Sequence, residues 1–321
     1  MSDKSQSETP GERIAKVIAR AGLASRREAE VWIAAGRVSV NGTVISSPAL
    51  NVRPSDRVSV DGMPLLARER TRLFLYHKPR GLMTTHSDPQ GRDTIFRALP
   101  KGLPRLISVG RLDINTEGLL LLTNDGGLAR VLELPATGWL RRYRVRALGR
   151  VRQEALDKLR DGVTIDGIRY GSIEATLDRE QGANIWLTFG IREGKNREVR
   201  KVLENLGLKV NRLIRVAFGP FDLGELDDGA VKEIETAELR AKLGEQIIAD
   251  SSADLEAPLR VEESRAPSRQ LRARVPQRIP GGRAEQSSFD AHRSRATKDD
   301  RSKRTRGRRD RSGGPRPSRP K

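Results

Sequence analysis

Asp113 sits in the run Gly110-Arg111-Leu112-Asp113-Ile114-Asn115-Thr116-Glu117-Gly118-Leu119, a short carboxylate between two apolar residues and two positions after an arginine. A leucine block, Leu119 to Leu122, follows, and then the turn residues Asn124-Asp125-Gly126-Gly127. The chain as a whole carries a net charge of +19. A lone acid with apolar neighbours in a cationic protein is a candidate nucleophile for a polyanionic substrate. Aspartate is a known covalent catalyst, and an adjacent cation favours its ionised form. An isolated aspartate is far more often a turn cap, so its neighbours must decide.

Other chemistries find little support. The chain has no cysteine, which excludes disulfides, thiolate zinc sites and cysteine nucleophiles. Only His77, His86 and His292 could offer imidazole, and no carboxylate spacing suggests a magnesium site. Glu117 lies four residues after Asp113. A glycosidase needs two carboxyls facing each other across a sugar, and the turn residues Asn115, Thr116 and Gly118 do not assure that geometry. A metal-dependent nuclease is disfavoured on the same grounds. The expectation is a protein without metal or cofactor.

With 321 residues and 36% hydrophobic content, the chain can form roughly two domains but cannot bury its full length. No apolar run reaches the about 20 residues of a membrane span, and Met1 to Pro10 lacks the apolar segment of a signal peptide. A cytoplasmic protein is expected, with no membrane partner. From 251 to 321 there are 20 Lys and Arg against 9 Asp and Glu, and from 301 to 321 ten basic residues against the single acid Asp310. A basic body with a more basic tail points to a nucleic-acid partner, since neutralising phosphates releases counterions.

The chemistry-bearing residues need elements to hold them. Residues 1–10 and 246–321 read as disordered, because their composition cannot bury enough surface to fold. Residues 12–62 read as a small module of helices and a hairpin. Ile14, Val17, Ile18 and Ala21 share a helical face ending at Gly22. Ser25-Arg26-Arg27-Glu28 forms a capping box, followed by the stripe Ala29, Trp32, Ile33. Asn41-Gly42 joins two short strands, and Asp61-Gly62 repeats the pattern. Residues 63–71 form a linker. Residues 72–245 read as one α+β domain with strands at 73–76, 106–109, 143–147, 184–191 and 210–218. Helices are expected near 128–134 and 154–159. Asn196 is expected to cap another bearing Val199, Val202, Leu203 and Leu206. The module gathers Arg13, Lys16, Arg26 and Arg27, which suit RNA phosphates and equally suit a solvated helix face.

Order along the chain settles more than any motif alone. Arg13-Ile14-Ala15-Lys16, Ala24 to Ala29, Gly36-Arg37-Val38 and Val40-Asn41-Gly42 resemble the alpha-L RNA-binding module named after a small-subunit ribosomal protein. Gly110-Arg111-Leu112-Asp113 with Thr116 to Gly126 closely resembles the signature of pseudouridine synthases of the RsuA/RluB type. Lys78-Pro79-Arg80-Gly81, Arg142-Tyr143-Arg144-Val145, Arg192 to Lys201 and Leu213-Ile214-Arg215-Val216 support the likeness over roughly residues 12–230.

The resemblance implies an α+β catalytic domain with a central, largely antiparallel sheet. It implies isomerisation of a flipped-out uridine, with no cofactor. Asp113 would be the catalytic carboxylate; addition to the base, a bond to the ribose and proton removal all stay open. Tyr143 would stack on the base, Lys195 would pair with the aspartate, and Arg111 would fill the gap left by the base or grip the backbone. Arg197 and Arg200 would contact phosphates. Ribosomal RNA is the expected substrate, 23S rather than 16S, free or in an assembly intermediate. The rival reading is a non-catalytic RNA-binding ribosome-assembly factor.

Overall fold

The computed structural model describes residues 11–259 and the backbone of Leu271–Arg272. The expectations for residues 1–10 and for the rest of the basic tail lie outside the described residues.

The N-terminal module follows its local signals. Strand β1 (Glu12–Arg13) leads into α1 (Ile14–Arg20) and α2 (Arg26–Ala34). The capping box closes as expected: Glu28 N donates to the Ser25 hydroxyl at 3.1 Å, and Ser25 N donates to the Glu28 carboxylate at 2.6 Å. Then come β2 (Val38–Val40), β3 (Thr43–Val44), β4 (Asn51–Val52), β5 (Val58–Val60) and β6 (Met63–Pro64). The turns Asn41-Gly42 and Asp61-Gly62 both take positive φ at each central residue, the geometry of a tight hairpin. Ile14, Ile18, Ala29, Ile33 and Val38 form the module's own core.

The elements of the larger domain are β7 (Leu73–Lys78), α3 (Ile95–Ala98), β8 (Ile107–Ser108), β9 (Glu117–Thr123), α4 (Gly126–Glu133), β10 (Arg141–Leu148), α5 (Gln153–Asp157), β11 (Val163–Ile165), β12 (Ile168–Tyr170), β13 (Ile173–Gln181), β14 (Asn184–Ile191), α6 (Glu198–Asn205), β15 (Lys209–Phe218), β16 (Phe221–Asp222), β17 (Ala230–Glu233), α7 (Thr236–Ser251) and β18 (Leu271–Arg272). The main sheet runs β13-β14-β10-β15-β9-β7-β17-β18, with β8 on β9 and β16 on β15. Among the described residues every pairing in it is antiparallel except β15 with β9.

The leucine block is the sheet's centre. Leu120 and Leu122 face one core with Phe74, Tyr76 and Tyr143. Leu119 and Leu121 face the other, with Leu128, Leu132, Leu239 and Leu243 from α4 and α7. A strand covered on both faces reads as a continuous apolar run rather than an alternating one. Strand β10 is covered on one face only: Tyr143, Val145 and Ala147 are buried, while Arg142 and Arg144 are exposed.

Three sequence boundaries shift. The tail does not begin at 246, because α7 continues to Ser251 and Leu255 is buried against the second core. Gly244, at φ +73°, breaks α7 and with it the apolar periodicity that would have announced it. The linker at 63–71 begins in β6 and is then bound to the catalytic domain: Arg68 pairs with Asp125, and the Thr71 hydroxyl donates to Asp125 at 2.8 Å. The helix after Arg192 is led in by Arg197, at φ +52°, and not by Asn196.

Gly118 carries the close approach of β9 to β15. It sits at φ +102°, and a Cβ there would overlap the Arg215 carbonyl and lie 2.7 Å from the Arg215 nitrogen. Gly118→Ala is expected to cost about 2–5 kcal/mol, summing backbone strain and overpacking. Denaturant unfolding measures it, and a loss below about 1 kcal/mol would contradict this packing.

Candidate active site

The loop between β8 and β9 carries Asp113, and its backbone is held at every carbonyl from Leu112 to Thr116. The Thr84 hydroxyl donates to Leu112 O at 2.8 Å. Lys78 Nζ donates to Asp113 O at 3.2 Å, Ile114 O at 3.4 Å and Thr116 O at 3.0 Å, and also to Pro79 O at 3.0 Å. Gly81 N donates to Ile114 O at 2.8 Å, and Arg200 Nη2 to Asn115 O at 3.1 Å. Lys78 is fully buried. An ammonium is tolerated there because carbonyl oxygens replace its water. The loop is thereby clamped from below, leaving the Asp113 side chain about one third exposed at 35%.

The cation beside that carboxylate is Arg197, with Nη1 3.7 Å from Asp113 Oδ2. Lys195, expected in that place, points elsewhere. Its Nζ donates to Arg169 O at 2.8 Å, pairs with Glu193, and lies 5.6 Å from the Tyr170 ring centroid. The cause is local. Lys195 N donates to Glu198 Oε2 at 2.9 Å, which folds the loop back, and the left-handed turn at Arg197 presents residue 197 to the aspartate. Arg197 is therefore a carboxylate partner here. Arg200, expected on phosphate, is buried and donates from Nη2 to the Asn115 carbonyl and from Nη1 to that of Val210.

Tyr143 is buried in β10. One cross-strand row runs Phe189, Tyr143, Arg215, Gly118, Lys78 through β14, β10, β15, β9 and β7. Tyr143 thus lies two strand spacings, about 10 Å, from Gly118 at the exit of the Asp113 loop. Arg215 is fully buried between them. It sits opposite Tyr143 in the register and donates from Nε to Leu119 O at 2.7 Å. Burial pulls its pKa below the ordinary value, and the Tyr143 neighbour opposes this. Sequence reasoning misses Lys78 and Arg215 as site supports, although both lie in motifs already noted.

Glu117 is no second acid. It is buried in β9 and takes a bidentate pair from Arg212, with contacts of 2.8 and 3.1 Å to Oε2. His77 Nδ1 meets Leu226 O at 2.7 Å, and His86 stacks on Phe96. Among the described residues no group of three or more His, Cys, Asp or Glu is arranged to hold a metal ion.

Of the cations expected on RNA, Arg13, Arg26, Arg27 and Arg111 are exposed, and Lys16 pairs with Glu12. Lys16 and Arg26, with Arg20, Arg105 and Arg130, line a cleft of about 550 Å³ between the module and the catalytic domain.

The fold and this loop define a two-part RNA-modifying isomerase, and the comparisons agree. Residues 12–58 match the S4 domain, and residues 72–205 match the RNA pseudouridylate synthase family. A protein of Rickettsia felis described as an uncharacterized RNA pseudouridine synthase is 48% identical over 223 residues, 70% of this chain and 96% of the relative. The ribosomal large subunit pseudouridine synthase B of Pseudomonas aeruginosa is 45% identical over 238 residues, 71% of this chain and 61% of the relative. A crystal structure of a pseudouridylate synthase superposes with a TM-score of 0.51 at 27% identity, covering 73% of this chain and 100% of the other. The chain belongs to the RsuA/RluB family of RNA pseudouridine synthases.

Burial pulls the Lys78 ammonium down to about 8, against the opposing pull of Asp113, Glu117 and Asp228. Between about 8 and the ordinary 10.5, the unfolded chain binds more protons than the folded one. Lys78 therefore costs stability in full below about pH 8 and less as pH rises toward 10.5. Turnover should run the other way, because the neutral amine holds the loop carbonyls less firmly. The kcat profile is expected to fall above an apparent pKa near 8; a flat profile to about pH 9.5 would remove Lys78 from this role.

Proposed function

We propose that this protein converts a uridine of ribosomal RNA, in the 23S molecule, to pseudouridine. The name of the Pseudomonas aeruginosa relative and the S4 module support the choice of RNA. Free 23S RNA and an assembly intermediate are both substrates this chemistry would accept, and such a substrate places the protein in the cytoplasm. The domains we propose are the module at 12–62 and the catalytic domain from 72, now extending to about 259.

The carrying observation is the clamped Asp113 loop with Arg197 at its carboxylate. The reaction breaks N1–C1′, turns the base and forms C5–C1′, with loss of the C5 proton. A uracil inside a stack cannot reach Asp113, so the nucleotide is flipped at a cost of a few kcal/mol. Asp113 supplies the carboxylate. A loop whose carbonyls are already taken does not reorganise during the reaction, and that is where positioned groups gain their effect. Arg197 orients the carboxylate; as a partly exposed pair it adds at most about 1 kcal/mol of stability. Tyr143, on β10 opposite Arg215, offers its ring to the base. Arg13, Arg26, Arg27 and Arg111 contact the RNA backbone, which sets affinity more than chemistry.

The rival reading, an RNA-binding factor without catalysis, is not favoured, because the complete family signature is present and the loop is built for a fixed carboxylate. The test is a 23S transcript tritiated at uridine C5, incubated without metal or nucleotide. Wild type should release tritium, and a 16S transcript should not. Asp113→Asn should abolish release while changing RNA affinity by no more than about threefold. Arg197→Ala should lower kcat by about 100-fold and Lys195→Ala by less than about fivefold. Tight binding without release by wild type would return the protein to the non-catalytic reading.

A further inference from the structure

The uncovered face of the sheet carries a basic and aromatic surface that the reaction does not use. Strand alternation sends Tyr143, Val145 and Ala147 into the first core and Arg142, Arg144 and Arg146 to the opposite face. On neighbouring strands that face adds Trp186, Arg179 and Arg212. The register sets Arg146 opposite both Trp186 and Arg212, and Arg179 opposite Trp186. Arg144 and Arg179 lie over the Trp186 ring from the two flanking strands, at 5.1 and 5.7 Å from its centroid. Among the described residues Arg142, Arg144 and Arg179 make no salt bridge. Among the described residues the buried Trp186 Nε1 and Arg146 Nε find no hydrogen-bond partner. Of the acids nearby, Glu117 pairs with Arg212 and Glu174 with Arg192, while Asp178 accepts from the Thr188 hydroxyl and keeps its charge at the edge of the patch.

A purely structural arginine row would find acids to neutralise it. This one instead presents charges about 7 Å apart along β10, on a rigid strand, with an indole holding two guanidiniums upright. That lowers the side-chain entropy lost on gripping phosphates. We propose that this face is a second RNA-binding surface, on the side of the sheet away from Tyr143, which grips the sugar–phosphate backbone of substrate RNA flanking the modified uridine. Trp186 acts as a positioning residue that holds Arg144 and Arg179 in place. The proposal rests on the RNA reading above, yet its test does not require turnover.

The experiment measures binding of a 23S transcript at 50–200 mM salt by the full chain and by the triple variant Arg142→Gln, Arg144→Gln, Arg179→Gln. All three arginines are exposed and outside any salt bridge, so thermal melting should stay within a few degrees. The log–log salt slope should shrink by about 2, at roughly 0.7 for each phosphate no longer neutralised. kcat for tritium release at saturating RNA should stay within about twofold, with KM raised. Trp186→Ala should reproduce part of the slope change, and Trp186→Phe should restore it. An unchanged slope overturns the proposal, as does a loss of kcat with the slope intact. If wild type releases no tritium yet the triple variant shows the smaller salt slope, the uridine chemistry fails and the surface stands.

Discussion

The structure depends on one buried ammonium. Lys78 ends a core strand, is fully buried, and takes four backbone carbonyls as its solvation shell, three of them from the loop that carries Asp113. A charge in such a place is costly unless nearly every donor is used. The loop is therefore not free to choose another conformation, because leaving would strand the ammonium. Pro79 and Gly81 follow at the strand end and turn the chain, so that Gly81 N caps the same loop at Ile114 O. The motif Lys78-Pro79-Arg80-Gly81 is thus a pedestal for a carboxylate 35 residues away.

The sheet converts that pedestal into a site by simple parity. A cross-strand row lines up Lys78, Gly118, Arg215 and Tyr143. Gly118 lets β9 and β15 approach, and Arg215, opposite Tyr143 in the register, ties β15 to β9 through Leu119 O. The same alternation that turns Tyr143 inward turns Arg142 and Arg144 outward. In the roles proposed above, uridine chemistry and backbone electrostatics are divided between the two faces of one strand, so changes on one face need not disturb the other.

Much of this is legible in the sequence, for identifiable reasons. The capping box at Ser25, the Asn41-Gly42 turn and the alternation of β10 are local signals, and all three form as expected. The Asp113 run stands apart from an ordinary turn cap because its neighbours are ordered motifs. What the sequence hides is long-range. The resemblance puts Lys195 rather than Arg197 at the carboxylate, because motif order does not reveal which residue of a loop takes a left-handed turn. Arg200 looks like a phosphate ligand because nothing local tells that Asn115 O waits for it. The domain seems to end early because Gly244 interrupts a helix whose partners, Leu128 and Leu132, lie over 100 residues back.

Asp125 shows how the two domains become one instrument. It caps α4 through Gly127 N at 2.7 Å, accepts the Thr71 hydroxyl at 2.8 Å, pairs with Arg68 from the connecting segment, and lies 3.9 Å from Arg20 Nε on α1. It is 3% exposed, so this is a buried carboxylate on which three segments converge. A second tie, Arg105 to Glu28 at 3.6 Å, closes the other side of the intervening cleft. Removing one partner from a buried pair costs about 3–5 kcal/mol, whereas the outer tie, being half-exposed, contributes at most about 1 kcal/mol. Asp125 therefore anchors the connecting segment firmly to the larger domain, and the module reaches the same carboxylate through the longer Arg20 contact. A tethered module would raise only the local concentration of RNA. A docked one also sets the distance from its binding surface to the reacting base, and a fixed distance is what allows a basic protein, attracted to every phosphate, to act at one uridine.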